Sequence, residues 1–190
     1  MNENKLVQNY LNNDNCISNL IKNIIEYFVS KNYCTFIFGG ILREILKLKN
    51  IDLINNYLLN QEGDIDLITN DFDNQLFLKF LNNYINNTFI KNVFISVKKS
   101  NNYNFKNNKF NMYSNLNLSY KKLKKIANYL NMIGDHYKYT IEFLLPTNFK
   151  FNIKFDILKS KNPAEFLKYN LDISINSLAY NCKINKLLSK

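Results

Sequence analysis

Glycine is scarce in this 190-residue chain: there are four, and two of them, Gly39 and Gly40, are adjacent. Glycine tolerates backbone shapes and close approaches that a side chain forbids, so the pair marks a place where the chain needs a bare backbone. Arginine is scarcer still. Arg43 is the only one, so lysine carries nearly all of the positive charge behind the net +10. Lysine lacks the bidentate fork of arginine, so this charge suits the backbone of a polyanion more than base reading. The three cysteines, Cys16, Cys34 and Cys182, lie far apart without a CxxC, and the single His136 cannot build a zinc site with them. A reducing compartment is expected. No apolar run approaches the length of a membrane span. The opening "MNENKLVQNYLNNDN" lacks the apolar core of a signal peptide. These absences predict a soluble, cytoplasmic protein with no membrane partner.

What is present is apolar enough to fold, at 46% hydrophobic and 15% aromatic residues. The length suits one domain with room for a small appendage. Asn occurs 37 times and Lys 24 times, beside many Ile, Tyr and Phe. That mixture is what an A/T-rich coding sequence produces, and it leaves many Asn as markers of tolerated surface.

Periodicity gives a coarse outline. Ile17, Leu20, Ile21, Ile24 and Phe28 predict an amphipathic helix over 17–31. "CTFIF" (34–38) reads as a buried strand, broken by the glycine pair, and "ILREILKLKN" as a helix. Residues 50–62 are helical or loop. "DIDLIT" (64–69) reads as a second strand. Leu76, Phe77, Phe80, Leu81 and Tyr84 predict one helix face, and 89–98 a strand. Residues 99–117 lack a period and read as a loop or insertion. Ser119 caps an expected helix over 120–131, in which Lys121, Lys122, Lys124 and Lys125 could grip a nucleic-acid backbone. "KYTIEFLLP" and "FKFNIKFDILK" alternate like a hairpin with "PTN" as its turn. A last helical region opens at Pro163 and is expected to run through "NSLAYN". The class is α+β or mixed α/β.

Three pieces carry chemistry. A Gly-Gly turn from strand to helix exposes helix-start N–H groups that attract a phosphate, and Arg43 lies one turn along, near the same anion. In "GDIDLIT" the two-residue strand period aims Asp64 and Asp66 to one side, with Ile65 and Leu67 turned to the core. Paired carboxylates repel unless a cation sits between them, and hard oxygen ligands suit Mg²⁺ held with substrate phosphates. In "FNIKFDILK", Phe151, Ile153, Phe155 and Ile157 form one face, and Asp156 lies on the other as a candidate third ligand.

The combination resembles the nucleotidyltransferase superfamily, and more narrowly the head domain of the tRNA CCA-adding enzyme and bacterial poly(A) polymerase family. That family runs apolar-G-G-x-V-R-D and then D-x-D. Here the chain reads "FGGILRE" and "DID", with Glu44 in place of the usual aspartate. The family's R-R-D-[FL]-T-I-N-[AS] motif is echoed in "NLDISINSLAYN", where Asp172, Ser174, Ile175, Asn176 and Ser177 match. The likeness spans 34–187, with an unmatched insert at about 99–131. An alternative DxD, "KNIDLI", has Asn50 in its first carboxylate position, so Asp64 and Asp66 are preferred over Asp52.

An N-terminal helical segment (1–33) is expected from the periodicity, and the resemblance implies a head-like domain after it (34–190). Its fold would be polymerase-beta-like: α+β, with a small, mixed, mainly antiparallel sheet flanked by helices. It implies a Mg²⁺- or Mn²⁺-dependent enzyme that transfers a nucleotide from an NTP to a hydroxyl, an RNA 3′ end in the main. Asp64 and Asp66 would bridge the metals, and Asp156 would serve the nucleophile. Gly39, Gly40 and Arg43 would hold the triphosphate, and Asp172 and Asn176 would shape the sugar and phosphate side. Asn170 and Leu171 stand where the family carries two arginines, and the chain shows no counterpart of the family's RNA-holding domains. The alternative expectation is therefore a nucleotide- or RNA-binding module, or a polymerase subunit whose partner supplies those domains.

Overall fold

A computed structural model describes residues 2–60, 63–88, 93–100, 133–144, 150–170 and 178–189. Two helices, α1 (Glu3–Leu11) and α2 (Cys16–Ser30), lead into strand β1 (Thr35–Phe38). Helices α3 (Gly40–Leu48) and α4 (Ile51–Leu59) follow, then β2 (Ile65–Thr69) and α5 (Asn74–Thr88). Next come β3 (Val93–Ser100), β4 (Ile133–Leu144) and β5 (Lys150–Ser160). The chain closes with α6 (Pro163–Asn170), β6 (Leu178–Asn181) and β7 (Lys186–Ser189).

The strands form one seven-stranded sheet in the order β3-β4-β5-β2-β1-β6-β7. Every neighbouring pair is antiparallel except β2 and β5, which run parallel. The architecture is α+β with a mixed, mainly antiparallel sheet, and the sheet is larger than the small one expected.

Strand alternation gives the sheet two unlike faces. Ile37, Ile65, Leu67, Tyr137, Tyr139, Ile141, Ile153, Phe155 and Ile157 lie on the main face and join the buried side chains of α1 to α5 in one core. Phe28, Phe72, Phe77 and Tyr139 meet there, with the Phe77 and Tyr139 rings edge to face at 5.1 Å between centroids. The second face carries Phe36, Ile68 and Ala179, covered by Phe166 and Leu167 of α6. Helix α6 shields only part of it. Asp66 and Asp156 share that second face, two residues before Ile68 and Leu158 on their respective strands.

The expected helix over 17–31 corresponds to α2, opened by Asn15, whose side chain accepts from the Ser18 N–H at 2.8 Å. Several expectations need correction. Leu76 is half exposed, and the buried stripe of α5 is Phe77, Leu81 and Ile85. "LAYN" is strand β6, not the end of a helix, because it pairs with β1 through Phe36, Ile37 and Phe38. The tail forms a further strand, β7. The expected helix at 120–131 and the "PTN" turn lie outside the described residues.

Candidate functional site

The site begins at the end of β1. Gly39 occupies the N-cap of α3 with φ 80° and ψ −147°, a backbone shape open to glycine and strained for other residues. A Cβ on Gly39 would collide with the carboxylate of Asp66. The missing side chain is thus what lets β2 place an acid directly against the backbone that starts a helix. Gly40 differs. A Cβ there would meet only the Tyr57 hydroxyl at 3.4 Å and Arg43 Nη2 at 3.7 Å, which are ordinary contacts.

Asp66 lies opposite Phe38 on β1 and beside Asp156 on β5, in the parallel register. Asp64 immediately precedes β2, one strand period from Asp66. One oxygen from each of Asp64, Asp66 and Asp156 lies within 4.8 Å of the others, and the three are partly buried. Burial pushes the Asp66 carboxyl up to about 7, and the charges of Asp64 and Asp156 push the same way. The Lys138 ammonium opposes them. Such a group is short of positive charge. Three carboxylates with no nitrogen or sulfur donor suit a hard divalent cation such as Mg²⁺ or Mn²⁺.

Lys138 was not visible from the sequence. It sits opposite Asp156 on β4 and donates to Asp156 Oδ2 at 2.7 Å. That hydrogen bond raises the lysine above its ordinary value, assisted by the charges of Asp156, Asp64 and Asp66 against the cost of burial. The only signal was alternation: Tyr137, Tyr139 and Ile141 face the core, which turns Lys138 the other way. Its partner could not be read, because hairpin register is not written in either strand alone.

Arg43 lies in the first turn of α3, with its Nε 3.4 Å from Glu44 Oε1. Glu44 is nearly buried and also meets Lys47 at 3.6 Å. The residue in the expected aspartate position therefore anchors two cations beside the helix start and stands apart from the acidic cluster. Tyr57 of α4 was missed as well. Its ring occupies the space that a Cβ on Gly63 would need, and its hydroxyl lies next to Gly40. It braces the entry to Asp64 against the start of α3.

Asp52 falls in the first turn of α4, and Asn50 caps that helix by accepting from the Leu53 N–H at 3.1 Å. The alternative DxD is a helix start and contributes nothing to the cluster among the described residues. Asp172, Asn176, Lys121, Lys122, Lys124 and Lys125 lie outside the described residues. No described helix is long and apolar enough to cross a membrane. No family model matches the chain. Comparison with curated proteins and with solved structures gives no significant match either.

Proposed function

We propose that the protein is a divalent-metal-dependent nucleotidyltransferase with a polymerase-beta-like fold, acting from an NTP onto a hydroxyl, most naturally an RNA 3′ end. One observation carries the reading. Carboxylates from the start of β2, from β2 itself and from the distant strand β5 meet on one sheet face, beside a glycine turn that opens a helix.

The residues divide the work as follows. The N–H groups at the start of α3, bared by Gly39 and Gly40, would hold the triphosphate, with the Arg43 guanidinium beside Gly40 adding charge. Asp64 and Asp66 would hold the cation, and Asp156 would complete the set and serve the acceptor hydroxyl. Bound there, a divalent cation would supply charge stabilisation and acidify the hydroxyl. The hydroxyl would give up its proton to solvent, its oxygen would bond to the α-phosphorus as the bond to the bridging oxygen breaks, and pyrophosphate would leave with the bonding electron pair. The basic surface would attract the acceptor's phosphates. Asp172 and Asn176 are assigned roles by resemblance alone, and Lys121, Lys122, Lys124 and Lys125 by their charge on an expected helix.

The test is incubation with each labelled NTP, Mg²⁺ and an RNA pool, followed by sizing of the RNA. Lengthened products are expected from the wild type and none from Asp64→Asn with Asp66→Asn. Asp156→Ala should still bind nucleotide and fail in transfer, because serving the nucleophile is a transition-state contribution.

A second reading, a nucleotide- or RNA-binding module, is favoured by Asn170 and Leu171 in place of cations and by the lysine bonded to Asp156. Binding of nucleotide without any lengthened or labelled product would establish it.

A further inference from the structure

Most of the acidic cluster is accounted for by the reading above, but Lys138 is not. A cluster built to take a divalent cation has no need of a tethered monovalent one. Yet the ammonium sits at 2.7 Å from Asp156 Oδ2, on the carboxylate proposed to serve the nucleophile. The two carriers are cross-strand partners in the β4–β5 ladder, so the sheet register itself presents the lysine to the acid. Their exposures differ: about half of the lysine side chain is open to solvent, against 15% of the aspartate side chain. The acid is fixed, and the lysine is the partner with room to leave.

We infer that Lys138 is a built-in counter-cation that occupies Asp156 until the anionic substrate draws it off, so that the third carboxylate joins the metal set only in the loaded site. The inference rests on the nucleotidyltransferase reading and deepens it by assigning a regulation to the same site. The physical case is competition. An ammonium held on Oδ2 of a carboxylate and a divalent cation on either oxygen of that same carboxylate stand close enough to repel strongly, so the two compete for Asp156. A triphosphate offers the displaced ammonium a better-charged partner within reach of a flexible four-carbon stem. The lysine stays protonated throughout; only its partner changes. The device leaves Asp64 and Asp66 able to take a first cation and delays use of Asp156 until substrate arrives. Lys138 is in this sense a positioning residue, acting through Asp156.

Mn²⁺ binding tests this without reference to turnover. Mn²⁺ alone is titrated into wild type, Lys138→Met, Asp156→Asn and the double variant, with bound metal read by electron paramagnetic resonance. Lys138→Met should bind Mn²⁺ at least tenfold more tightly than wild type or take up an additional ion, and Asp156→Asn should abolish that gain. In the wild-type background Asp156→Asn should change Mn²⁺ binding little in the absence of nucleotide. Addition of a non-hydrolysable NTP should make wild type respond to Asp156→Asn as Lys138→Met does. The cycle isolates the coupling from the general effect of removing a positive charge, which would act whether or not Asp156 were present. Lys138→Arg, which keeps the charge, should resemble wild type.

Mn²⁺ binding in Lys138→Met no tighter than in wild type would overturn the inference. So would an equal gain with and without Asp156, or Mn²⁺ binding by none of the variants. Transfer activity is scored separately. A protein that lengthens RNA yet shows no Lys138–Asp156 coupling would retain the proposed function and lose this device. Melting temperatures with and without Mn²⁺ control for folding: Lys138→Met should be destabilised without metal, through the lost ion pair, and show the larger rise on Mn²⁺ addition.

Discussion

The two adjacent glycines look equivalent in the sequence and serve different masters in the structure. Gly39 is required by the fold, through its positive φ and the Asp66 carboxylate packed against it. Gly39→Ala should cost about 1–3 kcal/mol from backbone strain, more once the clash is included, and should reduce metal binding by moving Asp66. A chemical melt with a Mn²⁺ titration would measure both. Gly40 begins a helix with only ordinary contacts around its missing Cβ, so Gly40→Ala should leave the melting temperature unchanged or slightly raised. If a phosphate rests on that backbone, the same variant should weaken NTP binding by tenfold or more. Stability and affinity would then separate at adjacent positions.

Asp66 gives a pH prediction of definite sign. Its folded-state value of about 7 lies above its ordinary 3.8, so between these limits the native state keeps a proton that the unfolded chain has lost. The metal-free protein should have this contribution in full below pH 3.8 and lose it as pH rises to about 7. Asp66→Asn should flatten that slope in a series of denaturant melts. Metal must displace the same proton, so apparent Mn²⁺ affinity should climb about tenfold per pH unit up to pH 7 and level off above it.

At the scale of elements, Asp52 and Asp64 show what sequence context decides. Both begin an acid-apolar pattern, but Asn50 caps a helix in front of Asp52, whereas Gly63 leads Asp64 into a strand. Asp52→Ala should therefore leave metal binding and any transfer intact and cost no more than about 0.5 kcal/mol from the helix dipole. Asn50→Ala should cost about 1 kcal/mol through the lost cap. Transfer abolished by Asp52→Ala and spared by Asp64→Ala would mean the wrong acids had been assigned. The placement of Asp156 was legible because Ile153, Phe155 and Ile157 alternate cleanly. The same rule could not find β6 and β7. "LAYN" and "KLLS" are too short to show a period, and they are strands because β1 and then β6 supply a partner edge. The β4–β5 register runs unbroken from Leu144 opposite Lys150 through Lys138 opposite Asp156 to His136 opposite Leu158, and no pattern within either strand announces it.

Across the whole molecule, the N-terminal helical segment expected over 1–33 includes a helix, α1, whose part in the core its polar sequence does not single out. Leu6, Val7, Tyr10 and Leu11 of α1 are buried in the main core. The Asn4 side chain accepts from the Leu187 N–H at 2.7 Å, and the Gln8 side chain donates to the Asn185 carbonyl at 2.9 Å. The asparagine-rich composition leaves this helix only a few apolar positions, too few to show a clear period in the sequence. Deletion of residues 1–13 should lower the melting temperature by well over 10 °C or abolish folding, as expected for removing several fully buried side chains at roughly 1.5–3 kcal/mol each. A truncated protein that melts like wild type would make α1 an appendage.

The parallel pairing of β2 with β5 has a consequence in time. It is the one parallel contact among the described strands, and it joins Asp66 to a residue that the chain reaches only at position 156. Contacts between such distant segments close late, because the entropy of the intervening loop must be overcome before they form. The acids at 64 and 66 can emerge, and β1 and β2 can pair, long before their third partner has been synthesised. A growing or partly folded chain therefore lacks the complete cluster, and a cation needing all three carboxylates binds only the finished molecule. In refolding experiments with a non-hydrolysable NTP present, the onset of that binding would serve as a clock for the closing of the sheet, trailing the recovery of helical signal.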